Sequence, residues 1–277
     1  DDVGITQSSI DAYLELLDFG TISSGSTMVP CPWFPKVAQV FKENPKLDLG
    51  LHLTLNCEYE TYRWRPVSNL QADSGLIDDN GYFKQDKTEV METGKPDAVL
   101  QEIKAQLVVA KNMGVHPTHV DSHSGTLWNE KFIDTYLDVY ERHQVLPVVF
   151  NLTGMGESVA KQMRAIFNVP EEKINRFIHK GLPFVDSIAG LPVEHTYERG
   201  ERLKLAKYIL NQLPAGKLTH FAFHPMKDTP ESRGLNRYSD GRIGDYEVFM
   251  QKEMKDFIKD NGIQLIGYKD LLKYVPQ

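Results

Sequence analysis

Long apolar runs are missing from this 277-residue sequence. None reaches the ~20 residues that a membrane-spanning helix requires, so no bilayer span is expected. An excess of positive charge is missing too. The formal net charge is −7, which excludes a surface built for phosphate backbones or anionic lipid, and with it a nucleic-acid or membrane partner. Cysteine is scarce: Cys31 and Cys57 fit no zinc-site spacing and leave the redox compartment open. An initiator methionine is absent as well. The chain starts at Asp1-Asp2, and an upstream apolar strand is expected to precede it.

What is present is an ordinary globular composition, 41% hydrophobic and 25% charged. Its length suits one α/β domain spanning 1–277. Helix and strand signals alternate along the chain. Ile10, Tyr13, Leu14 and Leu17 mark a first helix stopped by Gly20. A short strand is expected within Thr21–Val29, a helix between Pro35 and Asn44, and a buried strand over Leu47–Leu55. Pro96 opens a helix that closes at Gly114, followed by strand-like His116–Asp121 and a helix from Asn129 to Arg142. Val145–Asn151 and Leu218–His224 read as further strands. Helices are expected on both sides of Pro170, over Arg202–Gln212, and around Met250, Met254 and Phe257 up to Gly262. Such alternation predicts a mainly parallel sheet wrapped by helices, in the form of an irregular (β/α) barrel. Between Asn56 and Lys95 the periodicity fades, which predicts a long functional loop walling or covering a site. Its Tyr59, Tyr62 and Trp64 serve equally as sugar-stacking platforms or as loop anchors. Asn151-Leu152-Thr153 matches a glycosylation sequon.

Four segments place acids and histidines where strands end. Asp1-Asp2-Val3-Gly4 offers adjacent carboxylates, one for a metal and one for a proton. In Gly50-Leu51-His52-Leu53-Thr54, His52 is the only titratable group of an apolar strand and must be hydrogen-bonded or ligated. Pro117-Thr118-His119-Val120-Asp121-Ser122-His123 sets three such groups two residues apart, a costly arrangement if inert. Imidazole with carboxylate suits zinc and related ions, and a neighbouring carboxylate can orient a ligating imidazole. His224 ends the last strand before Pro225, placed as a general acid, whereas His220 reads as structural. His116, His143, His179 and His195 show no pattern.

In this order, the four segments resemble the YdjC-like carbohydrate deacetylases, which include the chitooligosaccharide deacetylases. Gly20-Thr21-Ile22-Ser23 and the stretch from Ile263 to Leu271 are softer similarities, so the likeness covers nearly the whole chain. The resemblance implies a (β/α)-barrel-like fold and a divalent metal, Mg2+ or Zn2+, held by Asp2, His52 and His123. It implies Asp1 as general base, His224 as general acid, and removal of acetyl from an N-acetylated mono- or oligosaccharide. Ser124-Gly125-Thr126 stands where further histidines are common in the family, and Met226 where glycine is common; both changes bear on the sugar rather than on the ligands. Two other classes stay in view: a metal-dependent phosphoesterase or other amidohydrolase, and a catalytically inactive carbohydrate-binding protein. No Lys/Arg cluster or glycine-rich phosphate loop accompanies the motifs, which weighs against phosphoesters. Homo-oligomerisation is left open.

Overall fold

The computed structural model describes residues 1–151, 168–193, 199–235 and 238–276. Leu152 and Thr153 of the sequon, the helical stretch expected before Pro170, and His195 lie outside the described residues.

Helix α1 (Gln7–Phe19) starts where the Thr6 hydroxyl accepts the Ser9 amide and ends at Gly20, whose φ of 82° gives the left-handed cap expected of glycine. Strand β1 (Gly25–Thr27), α2 (Phe34–Glu43) and β2 (Leu49–Leu53) follow as their patterning predicts. The chain continues through α3 (Lys87–Thr93), α4 (Pro96–Asn112) and β3 (His119–Ser122). The single helix expected over Asn129–Arg142 is instead two short ones, α5 (Ile133–Leu137) and α6 (Val139–His143), meeting at Asp138. Then come β4 (Leu146–Pro147), α7 (Glu171–His179), β5 (Ser187–Gly190), α8 (Arg199–Asn211) and β6 (Thr219–Ala222). Helices α9 (Pro230–Gly234), α10 (Ser239–Phe249), α11 (Lys252–Asp260) and α12 (Tyr268–Leu271) complete the order. Strand β5 is too short and too polar at its edges for sequence periodicity to reveal it.

Strands β1 to β4 form one parallel sheet in chain order, and β5 pairs with β6 in parallel. Single bridges join the two. Phe150, beyond β4, pairs in parallel with Val185 ahead of β5, and Val3 pairs in parallel with Thr27 of β1. The Asp1 nitrogen donates to the Phe223 carbonyl at 2.7 Å, so the first residues lie between β1 and β6. The circuit closes, giving an α/β architecture with an irregular, mainly parallel barrel.

β2 is buried along its whole length, as befits a strand covered on both faces. Gly50 matters there: a Cβ at this position would meet the His119 ring at 2.4 Å, so only glycine lets β2 and the imidazole approach. His119 stacks on Tyr268 with ring centroids 3.7 Å apart, a packing role deep in the barrel.

The segment from Asn56 to Lys95 is irregular over most of its length but not structureless. It carries a 3-10 turn (Ala72–Ser74), α3 and an antiparallel bridge between Ile77 and Phe83. Fully buried Glu102 of α4 accepts the Val67 and Ser68 amides at 3.0 and 2.9 Å, pinning the loop to the barrel wall. Tyr59 and Trp64 are both 2% exposed, and the Trp64 indole donates to the Asn56 carbonyl, so they are anchors rather than platforms. Tyr62 donates its hydroxyl to the Ile5 carbonyl and serves the same end. No helix among the described residues is long and apolar enough to cross a membrane.

Candidate active site

His52 lies near the carboxyl end of β2, His123 and His224 follow β3 and β6, and Asp1 and Asp2, just ahead of the Val3 bridge, stand beside them. Register explains much of it. His52 on β2 pairs directly with Asp121 on β3, so two inward-facing side chains meet. The His52 Nδ1–H donates to Asp121 Oδ1 at 2.7 Å, which turns Nε2 toward Asp2 Oδ1, 3.3 Å away. His123 follows β3 in a 3-10 turn, where Ser124 adopts φ 53°. Its Nε2–H donates to Glu58 at 2.9 Å, and its Nδ1 lies 3.2 Å from the same Asp2 oxygen. Asp2 itself sits at φ 60°, a left-handed conformation that costs a non-glycine residue about 1–2 kcal/mol. Backbone strain thus falls on two residues flanking one spot.

Asp2, His52 and His123 are buried at 1%, 4% and 4% exposure, and each offers one donor atom to a common point. Among the described residues no well-formed hydrogen bond reaches either oxygen of Asp2, and only Oδ2 has a guanidinium beside it, that of Arg242 at 2.6 Å. A buried carboxylate oxygen so placed, facing two imidazole nitrogens whose other nitrogens are each fixed by a carboxylate, fits a divalent cation. Electrostatics agree. Burial alone would lower the pKa of His123, but Glu58 and Asp2 raise it to about 10, marking a position that attracts positive charge. Burial opposes the charge on Asp2 too, yet Arg242 and His123 hold its carboxyl well below the usual range.

Asp1 and His224 stand beside this trio. The Ser26 hydroxyl donates to Asp1 Oδ1 at 3.2 Å and lies equally far from His52 Nδ1. His224 Nε2 is 3.9 Å from Asp1 Oδ2. The His224 backbone N–H donates to Asp245, which Arg202 grips through Nε at 2.9 Å and a terminal nitrogen at 2.6 Å. Burial, the largest influence, lowers the pKa of His224 well below the ordinary imidazole value. A cavity of about 200 Å3 opens here, bordered by Asp1, His52, Asp121 and His224.

Three features escape sequence reading. Glu58 looks like any loop acid. Arg242 on α10 is 3% exposed, 2.6 Å from Asp2 Oδ2 and 3.9 Å from Glu58. Asp245, one turn further along the same helix, is fully buried. The available signal was that the α10 sequence, Ser-Asp-Gly-Arg-Ile-Gly-Asp, lacks a clean apolar stripe, so charged residues had to face inward. Conversely, His119 is a packing residue, and Asp121 orients His52 rather than sharing a single ligand face with His123. His220, expected to be structural, meets Tyr268 through Nδ1 at 2.5 Å but also borders the cavity. Met226 is fully buried and does not border the cavity, whereas Ser124 and Gly125 do.

Fold and geometry together place the chain among parallel α/β barrels whose polar groups converge at the strand ends. Within that class, the family model described as YdjC-like protein matches residues 1–260, and the chain belongs to that family. A carbohydrate deacetylase of Thermoanaerobacter pseudethanolicus is 27% identical over 271 residues, covering 98% of this chain and 96% of that one. One from Thermus thermophilus is 28% identical over 260 residues, covering 92% and 86%. A crystal structure from Enterococcus faecalis V583, of a protein assigned provisionally by name to cellobiose-phosphate cleavage, superposes with a TM-score of 0.75 at 21% identity. It covers 98% of this chain and 96% of its own, and shares the fold.

Proposed function

We propose that this protein is a metal-dependent hydrolase that removes acetyl from an N-acetylated mono- or oligosaccharide. The observation that carries the reading is the convergence of Asp2, His52 and His123 beside the Asp1–His224 pair. The carbohydrate deacetylase names of relatives aligned over nearly the whole chain support it.

Asp2 Oδ1, His52 Nε2 and His123 Nδ1 would hold the cation. Two imidazoles and one carboxylate suit zinc better than magnesium, which prefers an all-oxygen shell. When bound, such a cation supplies Lewis acidity, making a nearby water more acidic and stabilising negative charge on the acyl oxygen. The protein's own residues do the rest. Asp1, held by Ser26, accepts the proton of the attacking water. That proton passes from Asp1 to His224, whose Nε2 stands 3.9 Å from Asp1 Oδ2, and from His224 to the departing sugar amine. Water's oxygen bonds to the acyl carbon, the C–N bond breaks, and acetate and free amine result. Arg242 keeps Asp2 ionised and occupies its Oδ2, reserving Oδ1 for the cation. The cavity borders include no lysine or arginine among the described residues and carry Asp1 and Asp121, an arrangement hostile to phosphorylated substrates.

The test is acetate release from N-acetylglucosamine and from chitobiose and its longer homologues, with the protein stripped of metal and reloaded with Zn2+, Co2+ or Mg2+. Metal-dependent acetate release is expected. Phosphate release from sugar phosphates without any acetate would overturn the reading in favour of a phosphoesterase. Saccharide binding without turnover under every metal would favour an inactive binder.

A further inference from the structure

A second set of potential ligands borders the cavity. One oxygen each of Asp1 and Asp121 and one nitrogen of His220 lie within 4.8 Å of one another. Each side chain is held through one atom and has a second to offer. Asp1 Oδ1 accepts from Ser26, Asp121 Oδ1 accepts from His52, and His220 Nδ1 meets the Tyr268 hydroxyl at 2.5 Å. Among the described residues no hydrogen bond reaches Asp121 Oδ2 or His220 Nε2. All three residues border the cavity of about 200 Å3, which has room for the waters that complete a coordination shell. No lysine or arginine among the described residues borders it to offset the two carboxylates. Burial brings the pKa of His220 down to about 4, so its ring is neutral near pH 7 and able to ligate. Two carboxylates with one neutral imidazole suit a divalent ion such as Zn2+ or Mn2+.

We propose that Asp1, Asp121 and His220 form a second divalent-cation site whose occupant switches the enzyme off. It is separate from the Asp2 site. The two sets share no residue, and the His52 ring stands between them, facing Asp2 with Nε2 and Asp121 with Nδ1. Asp2, His52 and His123 are all buried, whereas Asp1 and His220 are half-buried, so the second set is the weaker and fills after the first. A cation on the Asp1 carboxylate competes with the proton that Asp1 must accept from water. Loading this site therefore removes the general base. That consequence rests on the deacetylase reading; the site itself rests on the ligand geometry alone.

The experiment titrates metal-free protein with Zn2+ by calorimetry and follows acetate release from chitobiose at each loading. Wild type is expected to bind two equivalents, the second more weakly. Acetate release should rise with the first and fall by about 10²-fold or more with the second, as loss of a general base implies. His220→Ala is expected to bind one equivalent and to keep its rate in excess Zn2+. The rate in excess divided by the rate at one equivalent is a ratio within one preparation, so partial misfolding cannot mimic it. His220→Cys loaded with Co2+ is expected to show thiolate-to-cobalt absorption only with the second equivalent; the wild type, which keeps Cys31 and Cys57, is the blank. A single equivalent in wild type overturns the site, as does a second that His220→Ala retains and that gives His220→Cys no such absorption. Two equivalents at undiminished rate overturn the switch. Two equivalents bound as expected, with no acetate at any loading, overturn the deacetylase reading and the switch with it, and uphold the cation site.

Discussion

Replacing Asp121 by asparagine tests how the site is oriented. The carboxylate accepts the His52 Nδ1–H at 2.7 Å, and both groups are under 10% exposed, so water does not screen the pair. Asparagine keeps the shape but removes the charge. A hydrogen bond to a charged partner contributes about 1.5–3 kcal/mol net, a neutral one about 0.5–1.5. The difference, about 1–1.5 kcal/mol, converts to a roughly tenfold weaker cation affinity. If the new amide rotates its NH2 toward His52, the imidazole must carry its proton on Nε2, and the loss approaches the hundredfold end of what such carboxylates are worth. Calorimetric titration with Zn2+, and the visible spectrum of the Co2+ form, would measure this. A Kd within about threefold of wild type in a folded variant would show that Asp121 does not orient a ligand, and the coordination scheme would fall with it.

Three further outcomes are expected. Asp1→Asn should lower kcat by about 10²–10⁴-fold while its Zn2+ affinity stays close to wild type; equal losses in both would make Asp1 a ligand and not a base. Arg242→Met should cost about 3–5 kcal/mol of unfolding free energy in the metal-free protein, because it leaves the Asp2 carboxylate buried without its guanidinium; added cation should restore part of that, and a denaturant midpoint equal to wild type would refute the pairing. Burial depresses His119 from 6.5 to about 4. The folded state therefore binds fewer protons than the unfolded one, and the associated stability, up to about 3 kcal/mol, is present above pH 6.5 and lost as pH falls toward 4. His119→Gln should flatten this acid limb in urea titrations between pH 7 and 4; an unchanged limb would assign the loss to other groups.

How much was legible depended on whether a residue's environment is set locally. Helix α1 carries its own capping residue, period and terminating glycine, so it could be read without its neighbours. β2 announces itself as an apolar run, and His52 stands out against it. Asp1, Asp2 and His123 were visible because unusual residue types crowd into a few positions at strand ends. Glu58 and Arg242 were not, since each is an ordinary charged residue until the barrel closes and sets it against Asp2 or His123. The apolar residues that border the cavity were illegible for the same reason. Trp128, Phe150 and Ile188 come from three separate segments, and nothing local distinguishes them from core residues. Strand β5, with its pattern of one buried and three half-buried residues, offers no period to detect.

The residues that escaped sequence reading are also those that balance the charge. Asp1, Asp2, Glu58 and Asp121 gather within a few side chains of one another, and Arg242 is the guanidinium set between Asp2 and Glu58. Four carboxylates against one fixed cation would be costly to bury. With neutral imidazoles, a divalent ion brings the group to within one charge of neutrality. Arg242 cannot be that ion's substitute, because its contact is with Oδ2 of Asp2, and the oxygen facing His52 and His123 is the other one. The two positive charges are thus assigned to different oxygens of a single carboxylate. Asp2, held at φ 60°, thus faces the guanidinium of α10 with one oxygen and the imidazoles of His52 on β2 and His123 in the turn after β3 with the other.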